Sequence, residues 1–196
     1  MLKALLEENL AFCQSHATIS DDPDRIRMAI STAAADADVC IVSGGVSMGD
    51  RDFVPGALSA LGAEIRFHGL AMKPGRPTLF AHLGPVAVFG MPGNPVSTFV
   101  QFGLLVAPLL RRMLGLPPAP PDSLQPLLAG FTRRDAGRHE FRPGTLEQSG
   151  VRLVSYQGSG DLSALATANC LVRIDQGVDT LPAGGLVRVR RIRPQD

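Results

Sequence analysis

The chain has 196 residues, 45% of them hydrophobic and 19% charged, with a formal net charge of +1. This is an ordinary globular composition, long enough for one or two domains, and the near-zero charge excludes an electrostatic case for binding nucleic acid or a membrane surface. No apolar run approaches the roughly 20 residues of a membrane helix, and three well-separated cysteines (Cys13, Cys40, Cys170) indicate neither a disulfide framework nor a zinc knuckle.

In chain order, MLKALLEENLAF comes first. Leu2, Leu5, Leu6 and Leu10 follow helical spacing, and the stretch lacks the basic, apolar, small-residue order of a signal peptide, so a cytoplasmic protein is expected. Asp22-Pro23 predicts a helix start, an acid at the N-cap and proline at the first helical position. Ile26, Ala29, Ile30, Ala33 and Ala37 then line one face of that helix. Val39–Val42 is a continuous apolar run of the kind a fully buried parallel strand shows. A glycine-rich loop follows, then a helix around Pro55–Leu61. Ile65 and Phe67 alternate with polar neighbours; Thr78–Ala81 and Pro85–Phe89 are two further strands joined at Leu83-Gly84. Asn94-Pro95 opens a long apolar helix to Leu114, with a kink expected at Pro108. Strands separated by helices predict an α/β layer sandwich with a mainly parallel sheet.

Past residue 116 the pattern changes. LPPAPPDSLQP carries five prolines in 11 residues and reads as a stiff linker. Strands are then expected at Leu127–Phe131, Glu140–Leu146, Val151–Tyr156, Cys170–Ile174 and Leu186–Ile192, separated by turns containing glycine. The organisation expected is an α/β domain over 1–116, a linker over 117–123 and an all-β domain over 124–196.

Three loops of the first domain carry the residue types that chemistry needs. SGGVSMGDRDF, Ser43–Phe53, leaves the carboxyl end of an apolar strand, where ligands bind in open parallel sheets. Gly44 and Gly45 allow the backbone to approach a ligand, and N–H groups there can cradle an anion. Asp50 and Asp52, two apart, share a face if the segment is extended and then suit Mg²⁺. The alternative is a plain turn in which one aspartate caps the next helix. MKPGRP displays Lys73 and Arg76 around a Pro-Gly turn, which suits a phosphate or is simply a solvated turn. GMPGNPVS again joins a strand to a helix: Pro92 and Pro95 stiffen it, Gly93 permits close approach, Asn94 can cap, and a helix N-terminus attracts anions. Asp21 is an extra acid beside the Asp22 cap. In the second domain QGSG, with Ser159, is either another anion cradle or a turn. His16, His68, His82 and His139 form no metal spacing and read as structural or exposed. Neither a Ser-His-Asp nor a Cys-His arrangement is evident.

Taken in order, SDD, SGGVSxGDxDF, LG-E-FH, MKPGRP, VFGxPGNPVS, Glu140-Phe141, QGSG and ANC resemble the C-terminal half of the molybdopterin molybdenumtransferase family, the MoeA proteins and the gephyrin E domain. The resemblance spans essentially the whole chain. It implies a three-layer molybdopterin-binding α/β domain, then a small β-barrel-like domain. It also implies the last step of molybdenum cofactor synthesis, insertion of molybdate into adenylylated molybdopterin (molybdopterin-AMP) with release of AMP. Under it, Asp21, Asp22, Asp50 and Asp52 would serve Mg²⁺ and molybdate. Ser43, Gly44, Gly45 and Ser47 would meet the pterin phosphate or nucleotide, and Lys73 and Arg76 would bind oxyanions. Pro92, Gly93, Asn94 and Pro95 would shape the pocket wall, with Ser159 approaching from the second domain. Asp50, Asp52, Lys73 and Arg76 would be the catalytic set. A homodimer and an adenylyltransferase partner are implied for the parent protein.

The sequence departs from the family in two respects. Pro143, with Arg142 beside it, stands where the family commonly has arginine. Family members also begin with further domains and with the first strand of this α/β domain, so the chain reads as a fragment unable to complete the reaction alone. Two rivals share features of this pattern: a molybdopterin adenylyltransferase, which has GGTG where this chain has Gly44-Gly45-Val46-Ser47, and a gephyrin-like peptide-docking scaffold.

Overall fold

Asp22 begins the first long helix in the way its sequence predicts. Its carboxylate accepts the Arg25 N–H at 2.9 Å and Pro23 takes the first turn, where a missing N–H costs nothing. The computed structural model describes residues 1–14, 17–47, 49, 52–133, 136–155 and 165–192. They gather into two units, Met1–Leu70 with Gly75–Leu110, and Ala71–Pro74 with Arg111–Asp196.

The first unit contains α1 (Leu2–Glu8), α2 (Pro23–Ala35), β1 (Val39–Ser43), α3 (Val54–Ala60) and β2 (Glu64–His68). After the short β3 (Met72–Lys73), which belongs to the second unit, come β4 (Leu79–Leu83), β5 (Val86–Met91) and α4 (Pro95–Gln101). A π-helical segment (Phe102–Val106) then leads into α5 (Ala107–Met113). Among the described residues no helix is long and apolar enough to cross a membrane.

The α/β class holds, but the sheet is mixed rather than mainly parallel. Its order is β1-β5-β4-β2, with β1 parallel to β5 and both β5–β4 and β4–β2 antiparallel. The cause is local. Only Gly84 and Pro85 separate β4 from β5, and a link that short joins antiparallel strands, whereas a parallel pair needs a crossover of about a dozen residues or more. β5 is buried at every position, as expected of a central strand with both faces covered. β1 has the apolar run of a central strand yet stands at the end of the sheet, with only Cys40 buried. One core joins Ile26 and Ile30 of α2 with Val54, Ala57 and Leu58 of α3, and both with Cys40, Leu79, Ala81, Val86 and Val88 of the sheet. Ile26 and Ile30 are four apart, the spacing that points two side chains along one helix face.

The long helix after Asn94 departs from regular winding earlier than Pro108. The π turn occupies Phe102–Val106 and regular α winding resumes at Ala107. Proline lacks the N–H that a regular helix requires there, and a wide turn just upstream is one recognised way to absorb such an interruption.

In the second unit β3, β8 (His139–Glu147), β10 (Cys170–Ile174), β12 (Leu186–Arg191) and β6 (Ser123–Pro126) form one sheet in that order, and β9 (Gly150–Leu153) pairs with β8. β7 (Phe131–Thr132) and β11 (Thr180–Leu181) make a separate pair. The strand expected at Leu127–Phe131 is replaced by β6, a single bridge at Leu127 and β7. Pro126 is tolerated because β6 is an end strand, where a missing donor breaks no ladder. The sheet curls without closing as a barrel. Its two ends meet through the one Leu127–Val151 bridge and the Leu128 N–H to Val151 carbonyl bond of 2.8 Å. Leu127, Leu146, Val151, Cys170, Val172, Val187 and Val189 fill the interior. Beside it Arg133 is buried, donating to the carbonyls of Val178, Arg138 and Asp175 at 2.8, 3.0 and 2.6 Å and lying 3.5 Å from the buried Glu140 carboxylate.

Candidate functional site

Strands β1 and β5 are parallel and end together, Ser43 opposite Met91. The loops leaving their carboxyl ends therefore start side by side, and they stay in contact. The Gly44 N–H donates to the Met91 carbonyl at 2.8 Å, and a Cβ on Gly93 would stand 3.6 Å from the Gly44 Cα. Gly44 and Gly45 have φ of 92° and 64°, conformations glycine adopts freely and other residues rarely. This is the turn that brings the chain back across the rim.

The return is fixed by Val46. It is 1% exposed and joins the core, and a Cβ on Gly90 would come within 2.8 Å of its Cγ1. Glycine at position 90 is thus what lets the loop lie on β5. The Val46 carbonyl is held 2.7 Å from Nε2 of His68, at the end of β2. Val54 N–H donates to the Gly45 carbonyl at 3.1 Å and closes the far side. Gly49 and Asp52 are joined reciprocally. The Gly49 N–H donates to Asp52 Oδ2 at 2.9 Å, and the Asp52 N–H to the Gly49 carbonyl at 3.0 Å. Asp52 thus has one carboxylate oxygen and its own N–H engaged by Gly49. Asp50 lies outside the described residues, as does Ser159.

The second loop is stiffened from within. Thr98 Oγ1, on a residue 1% exposed, donates to the Pro92 carbonyl at 2.6 Å; the Ser43 hydroxyl reaches the same carbonyl at 3.5 Å. Asn94 caps α4, its Oδ1 accepting the N–H groups of Val96 and Ser97 at 2.9 and 3.3 Å. Those two amides are engaged by the cap, so the free helix end read from GNPVS is already partly satisfied by its own asparagine.

The cationic loop divides. Arg76 is exposed in the first unit, its carbonyl accepting the Leu70 N–H at 2.8 Å; Lys73 is exposed on β3 of the second, where it pairs with Glu140 of β8. Thr78, fully buried, braces the turn by donating its hydroxyl to the Gly75 carbonyl at 2.7 Å, and a Cβ on Gly75 would overlap the Gln101 amide. Asp21 and Asp22 are exposed at the start of α2, with Asp22 engaged as cap. Among the described residues no three His, Cys, Asp or Glu side chains gather as a metal site.

Ser43, Gly44, Gly45, Pro92, Gly93 and Asn94 are thus brought together, while Asp21, Asp22 and Lys73 are held on other elements. His68, Thr78 and Thr98 were not singled out by sequence. Thr98 was within reach, because a threonine four residues after a helix cap can turn its hydroxyl back to the preceding loop. Nothing in the spacing relates His68 to Val46.

The fold is that of an open α/β domain, a class in which ligands bind beyond the carboxyl ends of the strands, and here two strand-end loops touch at that rim. Residues 1–112 match the family described as a probable molybdopterin binding domain, and residues 127–191 match the MoeA C-terminal region, domain IV. The molybdopterin molybdenumtransferase of Staphylococcus aureus (strain COL) is 32% identical over 193 residues, covering 96% of this chain and 46% of that protein. The Haemophilus influenzae protein of the same name is 31% identical over 194 residues, covering 96% and 48%. A solved molybdopterin biosynthesis MoeA protein from Pyrococcus horikosii superposes with a TM-score of 0.75 at 30% identity, covering 89% of this chain and 42% of that one. The chain belongs to the probable molybdopterin-binding-domain family and spans about half the length of the curated relatives it matches.

Proposed function

We propose that this chain binds molybdopterin at the rim built by the Ser43–Val46 and Met91–Asn94 loops, and that the protein inserts molybdate into adenylylated molybdopterin with release of AMP. The contact between Gly44 and Gly93 carries this reading, because it makes a single surface from two loops whose carbonyls are held elsewhere. With the carbonyls of Val46 and Pro92 already accepting, the loops are suited to receive an anion through N–H groups and the Ser43 and Ser47 hydroxyls. Arg76, exposed beside a braced turn, supplies a cation for a phosphate oxygen. Lys73, Pro95, Ser159, Asp21, Asp22 and Asp50 belong to the proposal through the family resemblance.

Mg²⁺ is compatible with this site as a shared ion. Asp52 accepts one bond at Oδ2, and a carboxylate has about four lone-pair sites, so it retains capacity for a cation. Mg²⁺ commonly takes one or two carboxylates and fills its shell with water and substrate phosphates. When bound, it would offset charge on a phosphoanhydride as that bond breaks. The rigid loops would hold the ligand in place and limit the solvent rearrangement that charge development otherwise needs. A homodimer, an adenylyltransferase partner and a cytoplasmic setting form part of the same proposal.

The experiment is equilibrium binding of molybdopterin to this chain and to Gly44→Val, which removes the left-handed turn, with urea unfolding as the folding control. A molybdate-insertion assay on the longer protein, with magnesium added or chelated, tests the reaction. Binding unaffected by Gly44→Val in a folded chain, or adenylation of molybdopterin from ATP in place of molybdate insertion, overturns the reading.

A further inference from the structure

His68 lies at the far end of the sheet from the loop it touches. In the order β1-β5-β4-β2, the chain leaves β1 at Ser43, and its Val46 reaches across β5 and β4 to His68 on β2. The crossing is recorded on β5, where a Cβ on Gly90 would meet Val46 Cγ1 at 2.8 Å; Leu79 of β4 is the ladder partner of Gly90. A carbonyl oxygen only accepts, so the 2.7 Å contact requires a hydrogen on Nε2 of His68. Val46 is the one buried residue between Ser43 and Ser47. Its side chain is held by the core and its carbonyl by the imidazole, which sets the backbone on both sides of it.

The same strand end holds a second loop. The Gly69 N–H donates to the Thr78 carbonyl at 2.9 Å and the Leu70 N–H to the Arg76 carbonyl at 2.8 Å. His68, Gly69 and Leu70 are consecutive, so one short segment tethers the glycine-rich loop through a side chain and the Arg76 turn through two amides. A shift of either loop is thereby felt by the other.

We infer that His68 is a positioning residue: its Nε2–H fixes the Val46 carbonyl and so aligns the Gly45 and Ser47 amides, in register with the Arg76 turn, for the phosphate of a pterin ligand. The functional half of this inference rests on the proposed molybdopterin site; the structural half does not. His68 touches no reacting atom. Its contribution is to keep the loop in the conformation that the ligand needs before the ligand arrives.

The test compares His68→Gln, which keeps an N–H donor at similar reach, with His68→Leu, which keeps bulk and removes the donor. Each 196-residue chain is titrated with molybdopterin, its Gly44 and Gly45 amide shifts are recorded without ligand, and its melting temperature is measured. We expect His68→Leu to weaken binding by about tenfold, the scale of one lost hydrogen bond, with displaced Gly44 and Gly45 signals. His68→Gln is expected to restore both towards the wild-type chain, although neither variant changes melting enough to unfold the chain. Wild-type binding and unmoved amides in folded His68→Leu overturn the inference. If the wild-type chain takes up no molybdopterin, the proposed function fails. The amides then decide alone: displaced in His68→Leu and restored in His68→Gln sustains the tether, and unmoved in both removes it.

Discussion

Gly90 and Val46 interlock: the absent Cβ at position 90 is the space that the Val46 side chain approaches, 2.8 Å from where that Cβ would stand. Gly90→Ala must push aside Val46, or Leu79 at 3.2 Å, both members of the buried core. The expected loss is about 1–3 kcal/mol, the usual cost of overpacking, read as a lower urea midpoint at unchanged slope. Gly44→Ala provides the contrast. No atom lies within 4 Å of a Cβ there, but φ is 92°, so its cost is conformational, about 1–2 kcal/mol. Adding Val46→Ala should relieve Gly90→Ala and leave Gly44→Ala unrelieved. Equal relief of both would show that the two glycines do not have separate reasons.

Thr98 offers a cleaner hydrogen-bond test. Thr98→Val keeps the branched shape and leaves the buried Pro92 carbonyl without its 2.6 Å donor. Only the Ser43 hydroxyl at 3.5 Å then remains for that acceptor; a buried acceptor left without a good donor costs about 1–3 kcal/mol, whereas Thr98→Ser retains the hydroxyl and should cost less. Thermal unfolding ranks the three chains. If valine and serine behave alike, the hydroxyl does not hold the loop.

These contacts mark where sequence stops being legible. The Asp22 and Asn94 caps, the helix from Pro23 and, β3 apart, the order of elements through Met91 follow from residue chemistry acting over a few positions, and local rules read them. The loops were likewise visible as loops, because glycine clusters at strand ends have a local signature. The sheet's mixed direction follows from the two-residue Gly84-Pro85 link, which the alternation of strand and helix signals does not weigh. His68 illustrates the harder case. Its partner is 22 residues away, and only the strand order makes them neighbours. Asp52 is a related case: its spacing from Asp50 does not reveal that its carboxylate and N–H are engaged by Gly49.

The second unit contains its own polar centre. Arg133 has a side chain 4% exposed and sits 3.5 Å from Glu140, itself 6% exposed, with Arg142 at 3.8 Å from the other carboxylate oxygen. Arg133→Met should destabilise the chain by about 3–5 kcal/mol, because it strips the nearer cation from a buried carboxylate and three carbonyls of their donor. Arg133→Met combined with Glu140→Leu should recover part of that loss. Chemical denaturation of the two chains measures the coupling, and a double variant no better than the single one means the pair is not what holds β8 to the Asp175–Val178 turn.

Burial pushes the Cys170 thiol up to about 12 from its ordinary value of 9.0, with Arg191 and a Leu146 backbone bond acting in the opposite sense. The sign follows from proton counting. Between pH 9 and 12 the unfolded thiol has lost its proton and the folded one keeps it, so the unfolded state binds fewer protons and stability falls as pH rises. Below the unfolded value the contribution is fully present. Urea midpoints between pH 8 and 11 should therefore decline in the wild-type chain and decline less in Cys170→Ala. Thiol titration of the native chain at pH 8 should label the partly exposed Cys13 ahead of the buried Cys40 and Cys170.

Asp52 separates bracing from chemistry. Its carboxylate holds the Gly49 N–H, so Asp52→Ala would loosen the loop whatever else it does. Asp52→Asn keeps an oxygen to accept that bond and removes only the charge. If the acid serves a cation beside the substrate phosphates, the asparagine chain should fold and melt like the wild type. In the longer protein its molybdate-insertion rate should fall by more than the roughly 10–100-fold that loss of a supporting partner costs, and added magnesium should restore little. If Asp52 only braces, asparagine should be nearly silent in the assay and alanine should lower melting and rate together. The two outcomes differ in the asparagine chain alone, and that comparison decides whether the carboxylate belongs to the reaction or to the turn.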